Sequence, residues 1–202
     1  MIYWLAHTLS RLVGWVFFRH RTVHREFLPE SGGAMIVANH VSFLDPSAVG
    51  TCFRNPIYYL ARKSLFKGFL GWLLPRIQVM PADLGKGDLA SMKRILSLLK
   101  QGERVLLFPE GTRSPDGTLQ SAEAGIGFII AKAEVPVVPL RIFGAYECWP
   151  RGARWPHPGR VTIVAGPPVD FSLLPEGLTG RERYQACADL VMTALGAIKL
   201  ED

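Results

Sequence analysis

Short, unbroken apolar runs constrain this chain more than any other feature. AMIVA at 34–38 and VLLF at 105–108 are each closed by a polar or turn-forming group. Runs of four or five apolar residues are too short for a helix buried on all sides, and suit strands covered on both faces. Similar runs at 57–61, 77–80, 137–143 and 161–165 read as further strands, and 22–27 as another before the turn Pro29–Gly33. Helical spacing separates them. Leu89, Met92, Ile95, Leu96 and Leu99 share one helix face that stops at Gly102. An apolar helix fits 126–133, a very apolar one 65–74, and an amphipathic one 182–200. Strands alternating with helices predict an α/β layered domain with a mostly parallel central sheet flanked by helices. No internal repeat or linker divides it, so 22–202 reads as one domain behind an N-terminal segment, 1–21.

That N-terminal segment has its own character. Residues 1–25 carry Arg11, Arg19, Arg21 and Arg25, three histidines and no acidic residue, together with Trp4, Trp15, Phe17 and Phe18. Basic, aromatic and aliphatic side chains in one helix favour a bilayer interface over DNA. The apolar run at 2–18 is interrupted by His7, Ser10 and Arg11, and a spanning helix wants roughly 20 apolar residues. The charges mostly follow the apolar part, the reverse of a signal peptide. The segment therefore reads as a retained amphipathic anchor lying in the interface. The net charge of +6 would also suit nucleic acid. No helix-turn-helix, zinc ligand set or RNP-like strand accompanies it, so nucleic acid is not expected as a partner. Cys52, Cys148 and Cys187 are widely spaced without a CxxC pair, which argues against a disulfide framework or a zinc site and fits a reducing compartment.

Two segments hold the candidate chemistry. NHVSFLD at 39–45 follows the apolar run 34–38 directly. In open α/β sheets ligands gather at the carboxyl ends of strands. His40 and Asp45 are five residues apart, about 140° around a continuous helix, so they would not meet on one. A strand–turn–helix can fold Asp45 back onto the imidazole, fixing its tautomer and leaving Nε2 as a base. Asp45 can instead be only the cap of a helix that begins at Pro46. The second segment, FPEGTRS at 108–114, also leaves a strand. Gly111 permits close backbone approach, Thr112 and Ser114 offer hydroxyls, and Arg113 offers a planar fork suited to phosphate. Glu110 and Arg113 can equally form a surface ion pair.

Both segments resemble signature motifs of the glycerolipid acyltransferases, NHxxxxD and FPEGTRS, and VPVVP at 135–139 resembles a later block of that family. The nearest group is the bacterial 1-acyl-sn-glycerol-3-phosphate acyltransferases. The resemblance implies transfer of a fatty acyl group from acyl-CoA or acyl carrier protein to a lysophospholipid hydroxyl, with no cofactor and no metal. It implies His40 as general base and Asp45 as its orienting carboxylate. Arg113 would hold the acceptor phosphate, with Glu110, Gly111, Thr112 and Asn39 shaping the substrate pocket. With the anchor, it implies residence at the cytoplasmic face of the inner membrane, peripheral or monotopic, against anionic lipid. One departure stands out: Pro81 occupies the position where the family usually has a second phosphate-binding Arg, leaving Arg76, Arg62 or Lys63 as substitutes. Another lysolipid acceptor, such as a lyso-ornithine lipid, is the alternative this raises. A catalytically silent lipid-binding protein is the other.

Overall fold

The computed structural model describes residues 1–82, 88–123 and 125–200. The elements run α1 (Ile2–Phe18), β1 (Arg21–Val23), β2 (Ala34–Ala38), α2 (Asp45–Thr51), β3 (Tyr59–Ala61), α3 (Gly68–Leu73), β4 (Val79–Pro81), α4 (Leu89–Lys100), β5 (Arg104–Leu107), α5 (Ile126–Ala133), β6 (Val137–Phe143), α6 (Ala145–Cys148), β7 (Thr162–Ala165) and α7 (Gly180–Ala197). The main sheet has the order β1-β7-β6-β2-β5. All its pairings are parallel except β6 with β7. β3 and β4 form a parallel pair of their own, and Tyr58 bridges it to Val105, so the sheet continues past β5.

Alternation along each strand divides the core between two faces. Ala34, Ile36 and Ala38 turn to one side, where Leu106, Val138, Leu140 and Ile142 meet Val49, Phe53 and Ile57. Met35 and Val37 turn to the other, where Val105, Leu107 and Val137 meet Met92, Ile95, Leu99, Ile129, Val191 and Leu195 of α4, α5 and α7. That two-sided burial explains why the central strands read as continuous apolar runs. The expected α/β layered fold with a mostly parallel sheet is what the chain adopts.

Two local readings need correction. The strand expected over 22–27 ends at Val23, because His24 takes a φ of +55° and a 3-10 turn follows at Arg25–Phe27. The helix expected over 65–74 shrinks to Gly68–Leu73 between 3-10 turns at Lys63–Leu65 and Leu74–Ile77. Gly68 enters at a φ of +52°, and Pro75 opens the second turn, so neither end can extend as α-helix. α1 packs on α2, sends Phe18 into the core and bonds His7 to the Phe53 carbonyl at 3.2 Å, so the N-terminal helix lies against the domain. Among the described residues, no helix is long and apolar enough to cross a membrane. All three cysteines are free and buried, and burial pushes the Cys52 thiol up to about 11, the state of a packing residue rather than a nucleophile.

Candidate active site

Strand direction brings the two motifs together. β2 and β5 are parallel neighbours, with Val37 opposite Leu107, so both chains emerge at the same edge. One residue beyond β5, Phe108 stacks on the His40 ring at a centroid distance of 4.0 Å and 16° between planes. The His40 carbonyl accepts from Ser114 N–H at 2.7 Å, and Glu110 Oε1 accepts from His40 N–H at 2.7 Å. The motifs are thus bonded to each other twice through the His40 backbone.

His40 and Asp45 meet as the strand–turn–helix alternative requires, with Nδ1 and Asp45 Oδ2 2.8 Å apart. The same Oδ2 accepts from the backbone N–H groups of Val41 and Ser42, each at 2.7 Å. Those bonds, not a helical offset, fold 41–44 back and aim the carboxylate at the ring. Asp45 is fully buried, and its other oxygen, Oδ1, has no partner. The expectation that Asp45 caps a helix starting at Pro46 fails, because α2 begins at Asp45 itself and Leu44 is its N-cap residue. With Nδ1–H held by the carboxylate, Nε2 is the imidazole nitrogen left for proton transfer, and nothing among the described residues hydrogen-bonds it.

Ser42, also fully buried, donates from Oγ to the Trp149 carbonyl at 2.8 Å and fixes the turn to the end of α6. Asn39 was expected at the substrate. It is buried, and its amide is used on both sides by β6: Nδ2 donates to Ile142 O at 3.1 Å, and Ile142 N–H donates to Oδ1 at 2.7 Å. It clamps the end of β2 to β6.

The 108–114 loop divides its charges by direction. Glu110 turns inward and is buried, with Oε2 accepting from Gln120 N–H at 3.0 Å as Oε1 holds His40. Burial raises its pKa from the usual glutamate value, opposed by those N–H groups and by Arg141. No Glu110–Arg113 ion pair forms. Gly111 sits at a φ of +66°, where a Cβ would come within 2.4 Å of Glu123 Cγ, so a side chain there would strain the backbone and have to displace Glu123.

Arg113 lies with its guanidinium carbon 3.5 Å from the centre of the Phe43 ring, and Phe43 packs in turn on Trp149. Its Nη1 is buried without a partner. Burial lowers the Arg113 pKa first. The positive charges of Arg151 and Arg62 push the same way, against Asp45. It stays charged nonetheless.

Arg62, just past β3, reaches Thr112 Oγ1 at 3.4 Å. Ala61 is the register partner of Pro81, so Arg62 leaves the sheet beside Pro81. The other substitutes are committed elsewhere. Arg76 lies over the Trp72 ring and donates to its carbonyl, and Lys63 pairs with Asp88. The contributions of Phe43, Trp149, Arg151 and Gln120 were not foreseen. Phe43, lying inside the NHVSFLD segment, was the one with a sequence signal. A cavity of about 310 Å³ lies behind the loop, but Glu110 and Glu123 line it, which is unsuited to an anion. Among the described residues, no cluster of His, Cys, Asp and Glu could hold a metal ion.

The chain as a whole has known relatives. The chain is 26% identical to the 1-acyl-sn-glycerophosphate acyltransferase of Thermotoga maritima and superposes on its crystal structure with a TM-score of 0.74, over 98% of this chain and 81% of that one. It is 29% identical to the 1-acyl-sn-glycerol-3-phosphate acyltransferase of Bacillus subtilis, over 84% of this chain and 82% of the relative. Against the chloroplastic 1-acyl-sn-glycerol-3-phosphate acyltransferase of Arabidopsis thaliana, identity is 32% over 77% of this chain, which spans about half the relative's length, 45%. The family model described as Acyltransferase matches residues 19–143. That match takes in more than half of the chain and both motif loops, and on it the chain belongs to the acyltransferase family.

Proposed function

We propose that this protein transfers a fatty acyl group from a thioester donor, acyl-CoA or acyl carrier protein, to the free hydroxyl of 1-acyl-sn-glycerol-3-phosphate, giving phosphatidic acid. The observation that carries the reading is the His40–Asp45 contact at 2.8 Å beside the unpaired Nη1 of Arg113. A base and an anion holder at one sheet edge match an acceptor with a hydroxyl and a phosphate. In this reading His40 Nε2 takes the hydroxyl proton as the alkoxide oxygen attacks the thioester carbonyl. That base catalysis contributes about 10²–10⁴-fold, and the Asp45 carboxylate steadies the imidazolium that forms. The tetrahedral intermediate collapses, the C–S bond breaks and the thiolate leaves. Thiols are more acidic than alcohols by several pK units, so its departure needs little acid assistance. The step draws on no metal or cofactor, and no acyl-enzyme is required.

Arg113 and Arg62 hold the phosphate in this proposal, with Arg62 replacing the contact that Pro81 cannot make. α1 keeps the site at the cytoplasmic leaflet. Pro81 is the one observation favouring a non-phosphate acceptor, and Arg62 answers it. The test is an assay of the purified protein with 1-acyl-sn-glycerol-3-phosphate, its phosphate-free monoacylglycerol and a lyso-ornithine lipid, each with acyl-CoA and with acyl carrier protein. Lysophosphatidate-dependent thiol release at least 10-fold above the other acceptors is expected. Equal rates on the phosphate-free acceptor would overturn the phosphate assignment. No acyl transfer to any acceptor would leave the silent lipid-binding reading.

A further inference from the structure

α3 and its flanking turns form a surface that the reaction does not use. None of the residues of Gly68–Leu73 is buried. Leu65 is 47% exposed, Phe69 71%, Leu70 44% and Trp72 47%. Four large apolar side chains within eight positions face water. Scattered exposed apolar residues are ordinary, but a contiguous group of this kind marks an interface. The group is also shaped. Phe69 and Trp72 stack at 5.7 Å, and Arg76 lies over the Trp72 ring at 4.4 Å with Nη1 on the Trp72 carbonyl at 2.5 Å. Lys67, exposed, precedes the helix. From Pro46 to Ala82 there is no acidic residue.

We propose that 65–76 is a second membrane-docking surface, separate from α1, and that its occupant is the headgroup and upper acyl region of an anionic leaflet. Three observations favour that occupant over another protein. Lys67 and Arg76 flank the helix and no acidic residue lies between Pro46 and Ala82, so the segment complements a negative surface and disfavours a second copy of itself. Aromatic rings with an arginine at their edge are the composition that settles at the headgroup level. The 3-10 turn at Leu74–Ile77 packs on α1, whose exposed Trp4, Leu5, Leu9, Leu12 and Trp15 extend the same apolar character.

The placement matters to the site. α3 follows the carboxyl end of β3, six residues after the Arg62 that touches Thr112. Docking α3 therefore brings the Arg62–Arg113 mouth against the leaflet, where a lysolipid presents its headgroup without leaving the bilayer. This inference rests on the lipid-acceptor reading above.

The experiment compares the wild-type chain with Phe69→Glu/Trp72→Glu, α1 being intact in both. One arm uses long-chain lysophosphatidate in vesicles of phosphatidylcholine with phosphatidylglycerol. The other uses a hexanoyl lysophosphatidate dissolved as monomers. The variant should lose at least 10-fold in rate on vesicles, through a raised apparent KM, and remain within about twofold on the monomeric acceptor, which also shows that it folds. Unchanged vesicle kinetics would overturn the docking surface and leave the proposed reaction standing. A wild-type chain inactive in both arms would overturn that reaction instead. A second readout keeps Trp72 as the only tryptophan and adds vesicles with brominated acyl chains. Quenching of Trp72 supports the proposal. Emission unmoved by those vesicles, or a wild-type dimer in solution that the double substitution dissociates, overturns it.

Discussion

The two loops that leave β2 and β5 are neighbours of similar length, yet they spend their polar groups in opposite ways. In 39–45 almost every one is consumed internally. Asn39 binds β6, Ser42 binds Trp149, and Asp45 Oδ2 takes three donors, among them the imidazole. In 108–114 Glu110 and Ser114 turn inward, while Arg113 keeps a buried Nη1 unpaired and Thr112 faces Arg62. A base needs one fixed orientation, which a closed set of hydrogen bonds supplies. An anion holder needs donors not yet satisfied, and accepts the desolvation cost until the ligand arrives. Variants of the first loop should therefore act on kcat, and variants of the second on the acceptor KM.

The largest effect expected is from His40→Ala. Loss of the base should lower kcat by about 10²–10⁴-fold with a small change in acceptor KM, read by thiol release under saturating acceptor. Near-wild-type turnover in a folded variant would remove the base from the loop and end the comparison. Asp45→Asn comes next. Its oxygen can still accept from Val41 and Ser42, so the turn survives, but the charge that selects the Nδ1–H tautomer is gone. A kcat about 10²-fold lower is expected, again with KM little moved. Arg113→Ala should invert the pattern. Losing a charge-assisted contact worth about 1.5–3 kcal/mol raises the acceptor KM by roughly 10- to 100-fold while the donor KM stays put. A matching fall in kcat with constant KM would mean that both loops serve the same step.

These contrasts were only partly visible in the amino-acid order. The fold was legible because a two-sided sheet forces unbroken apolar runs, and AMIVA and VLLF are such runs. The His40–Asp45 pairing was legible as an alternative, since an offset of five excludes a helix but not a turn. What decided it was the pair of N–H groups at Val41 and Ser42, and backbone donors carry no side-chain signature. The inward roles of Asn39 and Glu110 were hidden because residue type does not reveal burial: each was assigned to the ligand, and each serves a neighbouring strand or loop. Arg62 reaches Thr112 only through the β3–β4 pair and its bridge to β5, a contact across 50 positions that local pattern does not encode. Trp149 arrives the same way, from α6.

The smallest effect sharpens the comparison most, because Glu110 belongs to the second loop by sequence and to the first by bonding. Its oxygens accept from His40 and Gln120 N–H groups. Glu110→Gln keeps one acceptor and sets an NH₂ against the other donor. The cost of an unsatisfied buried N–H is about 1–3 kcal/mol, offset in part by removing a charge that burial disfavours. Burial raises the carboxyl's pKa in the folded chain. A raised value means that this group's stabilisation is complete below the unfolded glutamate pKa of about 4.3 and is lost as pH rises through the folded one. The wild-type Tm should therefore exceed that of Glu110→Gln most at pH 4, and the gap should narrow toward pH 7, as thermal melts in matched buffers would record. If the brace matters to the base, kcat at pH 7 falls severalfold while the acceptor KM holds. A raised KM at constant kcat would return Glu110 to the anion-holding loop, and the division between the two loops would then follow the sequence after all.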